Sequence, residues 1–160
     1  MNDCDALLRL ILSQAAQLKI PVSERIHPHV TVNRRAVNRF GCCKYQKGTY
    51  YIEVALRVAE GPEESCRAVL AHEALHTCYG CRNHGKRWRE YARRMGEAYG
   101  YEICRTSTNE RLGVEEARPC RYILRCESCG MEFRRFRASA LTRQPEKYRC
   151  KCGGRLIRIL

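Results

Sequence analysis

The sequence predicts an α+β fold, in which helices combine with a short antiparallel sheet and a small basic β module follows. Three observations predict it. Apolar residues recur at helical spacing over residues 3–19, 60–78 and 84–99. Between the first two stretches, over residues 26–56, the period shifts toward two. Beyond residue 119, paired cysteines bracket short stretches of strand-like composition. A chain of 160 residues can hold one ordinary core plus a small satellite module.

In chain order, Asp3 to Lys19 reads as an amphipathic helix. Asp3 or Asp5 can cap it, Leu7, Leu8, Ile11, Leu12, Ala15 and Leu18 form its apolar face, and Pro21 stops it. Val30 and Val32 then alternate with polar residues, after His27-Pro28-His29, which reads as an extended lead-in rather than a metal site. Thr49 to Leu56 is strand-like, with Glu53 its one charge, and Gln46-Lys47-Gly48 joins it to Phe40–Cys43 as a hairpin. Glu60-Gly61-Pro62-Glu63-Glu64 starts a helix, with proline in the first turn and acids favoured by the dipole. That helix runs to about Cys78, with Gly80 as the stop; Cys66, Leu70, Ala74 and Cys78 face the core, and Val69, His72 and His76 lie beside them. A second helix spans about His84 to Tyr99, burying Trp88, Tyr91, Ala92, Met95 and Tyr99. Residues 105–119 read as a polar linker punctuated by Gly113 and Pro119.

Bulk properties narrow the function classes. No apolar run approaches the roughly 18 residues of a membrane span. The acidic start and the break at Arg9 argue against an export signal, so a cytoplasmic location is expected. In a reducing compartment, clustered cysteines among the 12 present favour metal over disulfides. Net charge is +13, and residues 105–160 carry 14 Lys/Arg against 6 Asp/Glu. Arginine dominates, and its planar fork suits phosphate, so nucleic acid leads as partner, ahead of an acidic protein or a membrane surface.

The chemistry centres on His72-Glu73-Ala74-Leu75-His76. Four residues apart on a helix, His72 and His76 share a face and can hold one ion, with Glu73 placed to work on a water beside it. A bend at Gly80–Asn83 can bring His84 back as the third imidazole, and three histidines leave zinc an open fourth position for catalysis. Glu73 is then the general base, and amide hydrolysis the natural reaction. The metzincin pattern is excluded, because its third histidine lies closer to the second. Cys126, Cys129, Cys150 and Cys152 suit a second, structural zinc. Cys78 and Cys81 read as packing residues, since a helix C-terminus opposes a thiolate.

His72-Glu-Ala-Leu-His76 followed by His84-Gly85-Lys86-Arg87-Trp88 resembles the SprT-like zinc metalloprotease family, whose helix pair carries HExxH and then H-G-x-x-W/F. Arg39-Phe40-Gly41-Cys42-Cys43 resembles the family's R-W/F-G-x-C segment, and the tail is similar to the zinc ribbon of its bacterial members. The resemblance implies a small zincin-like metalloprotease domain over residues 1–104, a linker over 105–119 and a basic β zinc ribbon over 120–160. It implies catalytic zinc at His72, His76 and His84, with Glu73 catalytic. Cys150-Lys151-Cys152 departs from the family's C-x-x-C knuckle by one residue, which makes Cys120 a possible substitute ligand. The family's eukaryotic relative Spartan degrades proteins crosslinked to DNA, so the expected partners are a protein substrate and DNA, single-stranded forms included. The alternative is a non-catalytic nucleic-acid-binding protein whose zincs are both structural. Its signature would be loss of the glutamate, and Glu73 is present.

Overall fold

A computed structural model describes residues 1–116 and 118–160 and divides the chain into two compact units, Met1–Glu115 and Glu116–Leu160. In the first unit, Asp3 opens helix α1 (Cys4–Gln17) by accepting the Ala6 N–H at 2.9 Å. Strands β1 (Thr31–Asn33), β2 (Gly41–Gln46) and β3 (Thr49–Ala55) form one sheet, and α2 (Leu56–Ala59), α3 (Glu63–Leu75) and α4 (Lys86–Tyr99) follow. Leu7, Leu8, Ile11 and Ala15 of α1 are buried in one core with Cys66, Leu70 and Ala74 of α3. The inward residues Ile52 and Val54 of β3 complete that core.

The hairpin turns at Lys47 and Gly48, both at positive φ (48° and 84°), the backbone that matches a two-residue turn to strand twist. It pairs Gly41 with Val54 and Gln46 with Thr49. The sheet is mixed rather than purely antiparallel: β1 adds parallel to β3, Thr31 opposite Glu53. The order β1-β3-β2 puts β3 in the centre and leaves β2 as an edge strand. Glu53 is buried there, and its carboxylate is held by Arg39, by Lys44 at 2.7 Å and by Asn33 at 2.7 Å. Burial alone would raise its pKa; the bonds from Lys44, Arg39 and Asn33 outweigh it and lower the value to about 2. One anion thus ties β1 and β2 to β3.

Two boundaries differ from expectation. Helix α3 ends at Leu75, and His76, Thr77 and Cys78 continue through tighter bonds to Glu73, Ala74 and Leu75 carbonyls, the usual tightening of a last turn. His84 precedes α4 instead of lying in its first turn; Gly85 is the cap and Lys86 the first helical residue. The first unit also runs on to Glu115, past the expected end at residue 104. Leu112 (5% exposed) and Val114 (8%) are buried in its core, so residues 105–115 pack with it instead of forming a linker.

The second unit is a three-stranded antiparallel sheet, β4 (Tyr122–Cys126), β5 (Glu132–Arg135) and β6 (Leu156–Arg158), in the order β5-β4-β6. A helical turn, α5 (Ala140–Arg143), is closed by a Ser139/Thr142 capping box and leads into a 3-10 turn at Pro145–Lys147. Its buried apolar content is small: Leu124, Cys126, Cys150 and Leu156. Among the described residues, no helix is long and apolar enough to cross a membrane.

Candidate metal centre

Helix α3 presents His72 and, at its C-cap, His76 on one face, and the bend after it returns His84 to the same point. The Nε2 atoms of His76 and His84 lie 3.1 and 3.0 Å from that of His72. An ion about 2.0–2.1 Å from each nitrogen would set tetrahedral edges of about 3.3 Å, so the spacing fits zinc. The tautomers fit as well. His72 Nδ1 lies 2.9 Å from the Cys104 carbonyl and His76 Nδ1 2.8 Å from the Cys81 carbonyl. With each Nδ1–H donating outward, the Nε2 lone pairs face inward, where they can bind a cation but not one another. Trp88 of α4 packs against all three imidazoles, with ring centroids 4.8, 5.7 and 4.6 Å away.

The electrostatics also favour neutral imidazoles. Burial first, then the proximity of His76 and His84, lowers the His72 pKa to about 4, and burial lowers that of His84. Neutral nitrogen is the form a metal takes. Glu73, one position round the helix, is 7% exposed, and burial raises its carboxyl to about 7 against weaker opposition from the Cys43 N–H and Arg39. Strand β2 lies close beside it: a Cβ on Gly41 would come within 2.7 Å of Glu73 Oε1 and 2.8 Å of Val69 Cγ1. Glycine at this position is therefore a steric requirement of the site.

That carboxyl carries a pH dependence whose sign is fixed. Its pKa rises from 4.5 unfolded to about 7 folded, so its favourable contribution is full below pH 4.5 and is lost as pH climbs through 7. The shift corresponds to roughly 3 kcal/mol. With chelator present, urea denaturation of the chain and of Glu73→Gln should show that the wild type loses stability relative to the variant between pH 5 and 7.5. Parallel pH profiles would contradict this.

In the second unit, Cys126, Cys129, Cys150 and Cys152 also converge, with Sγ–Sγ distances of 3.5 Å (Cys126–Cys152) and 3.7 Å (Cys129–Cys150). Four thiolates about 2.3 Å from zinc would be about 3.8 Å apart, so this set fits the ion too. The N–H groups of Cys129 and Ser128 hold the Cys126 thiol below its ordinary pKa, as metal binding requires. After the short Cys150-Lys151-Cys152 knuckle the chain passes tightly over the first one. A Cβ on Gly154 would meet Cys126 Sγ and Ser128 Oγ at 2.5 Å. Cys120 lies outside this cluster, with its Sγ 3.2 Å from the Tyr122 carbonyl. Cys78 and Cys81 are buried, and burial raises both thiols, so they are protonated packing residues in the bend.

Sequence reasoning missed the two carbonyls that orient the imidazoles, because a backbone group leaves no trace in residue identity. It also missed the residues after 101 that reach the site.

Helices, a small mixed sheet and a three-histidine cluster beside a buried glutamate define a metalloprotease-like domain with zinc-binding groups. The chain belongs to the SprT-like family, whose family model matches residues 9–109. A comparison with curated proteins found no match.

Proposed function

We propose that the chain is a zinc-dependent endopeptidase acting on proteins bound or crosslinked to DNA. The observation that carries the hydrolytic part is the convergence of three inward-facing imidazole nitrogens beside the buried Glu73 carboxyl. His72, His76 and His84 would hold zinc, which would supply Lewis-acid activation of a water and of a peptide carbonyl. Glu73, one position round the helix from His72, takes the water's proton and returns one to the leaving amine. Substrate adds as a further strand to the outer edge of β2, which together with Glu73, His76 and Arg82 lines a cleft of about 830 Å³. The Cys126/Cys129/Cys150/Cys152 zinc is structural.

The nucleic-acid part is supported by charge and by surface chemistry. The second unit carries all of the basic excess of residues 105–160, and its sheet sets arginine beside aromatic rings, Arg135 with Phe133 and Arg158 with Tyr122, each at 5.9 Å. Such pairs suit phosphates and stacked bases together.

The test is metal analysis of the purified chain and an assay of unfolded-protein cleavage, with and without single-stranded DNA and with and without chelator. Two zincs per chain are expected, with chelator-sensitive cleavage that DNA stimulates and salt suppresses. Tight DNA binding with two zincs but no cleavage would favour the non-catalytic reading instead.

A further inference from the structure

Beside His72 and Glu73 the first unit contains a second concavity, a cavity of about 250 Å³ on the side away from His76 and Arg82. Its buried lining is apolar apart from Glu73: Ala68 and Val69 of α3 and Leu112, joined by the half-buried ring of Phe40. Of the polar lining residues, Asn38, Arg105 and Thr106 are exposed and form a rim, while His72 and Ser107 are half-buried. Glu102, also exposed, pairs with Arg111.

Size and chemistry together indicate what fits. Sites for whole small molecules run roughly 300–1,000 Å³, so this volume suits a single side chain. An acidic side chain would lose its hydration beside the buried Glu73 carboxyl, and a basic one would pair with the carboxylate that must accept the water's proton, whereas an aliphatic or aromatic one gains by burial. The wall is also preformed. Leu112 N–H donates to the Thr108 carbonyl at 3.1 Å, Val114 N–H to the Asn109 carbonyl at 3.0 Å, and Arg111 is tied to Glu102. Leu112 lies beyond residues 9–109 matched by the family model.

We infer that this cavity selects the cleavage position by taking the apolar side chain of the residue next to the scissile bond, with the 105–112 segment as its specificity wall. The inference rests on the peptidase reading and adds to it a substrate class: extended chains bearing a Leu-, Ile-, Met- or Phe-sized residue at the cut. In an apolar pocket one methylene changes preference by roughly 10–200-fold, so selection of about tenfold or more over glycine and serine is expected.

The experiment is digestion of a denatured protein by the full zinc-loaded chain, with every new terminus identified by mass spectrometry. Ala68→Leu, which fills the cavity, should shift the adjacent residue toward glycine, alanine and serine. Leu112→Ala, which enlarges it, should shift preference toward phenylalanine and tyrosine; either shift in a folded variant supports the pocket. Cleavage without enrichment at any position flanking the bond, or enrichment that neither variant moves, overturns the pocket and leaves the peptidase reading standing. No cleavage by the wild-type chain overturns the peptidase reading and the pocket with it.

Discussion

Glu73→Gln is expected to lower peptide hydrolysis by about 10²–10⁴-fold while zinc content stays at the wild-type level. Glutamine keeps the size and packing of the side chain against Gly41 and Val69, so the close approach of β2 is undisturbed. What it loses is the ability to accept a proton. The three nitrogens that would hold the ion belong to other residues, and the carbonyls of Cys104 and Cys81 orient His72 and His76. Metal affinity measured by chelator competition should therefore be unchanged. A second readout separates catalysis from structure. With the metal removed by chelator, the wild type above pH 7 must bury an ionised carboxylate and the variant has none to bury, so the metal-free variant should unfold at higher urea, although the zinc-loaded variant is the less active. Equal activity in the variant would end the assignment of Glu73 as the base, whatever its zinc content.

How far the site could be read in advance follows the range of the signals. Asp3 as cap, the α1 stripe, the Lys47–Gly48 turn and the His72/His76 face are each encoded within a few consecutive residues, and each lies where local chemistry puts it. The parallel addition of β1 to β3 joins residues some twenty positions apart, and three-residue β1 carries too little pattern to announce a partner. The end of the first unit was obscured by composition. Leu112 and Val114 stand in a polar stretch with no helical or strand period, so only the fold reveals that both are buried. The same stretch supplies the cavity wall, which is why the histidine cluster was legible and the wall of the adjoining cavity was not. Glu53 lies between these cases. A lone charge in a strand marked it as unusual, but its three partners come from three separate segments.

The largest structural effect is expected in the second unit, from Cys126→Ser. Its buried apolar residues are too few to offset the chain entropy of a unit of 45 residues, because a small module of this kind needs a staple. Structural zinc contributes roughly 10–16 kcal/mol in comparable small domains, so an ion at the four thiols would supply most of what holds the strands. Cys126 is 1% exposed at the end of β4, and its thiol is poised for metal by the N–H groups of Cys129 and Ser128. Serine there is nearly isosteric but a poor zinc ligand, and it leaves three thiolates around an incomplete shell. Amides of β4, β5 and β6 should exchange with solvent within seconds in the variant, while those of Ile52 and Val54 in the first unit keep their protection. The first core needs no help from this ion: it is built from α1, α3 and the β1-β3-β2 sheet. Cys120→Ser is the matched control, since its sulfur lies outside the four-thiolate cluster and hydrogen-bonds to the Tyr122 and Arg135 carbonyls. It should exchange like the wild type and retain the second zinc. Protected β4 amides in Cys126→Ser, or loss of the second zinc in Cys120→Ser, would mean that the ion is held by a different set of thiols.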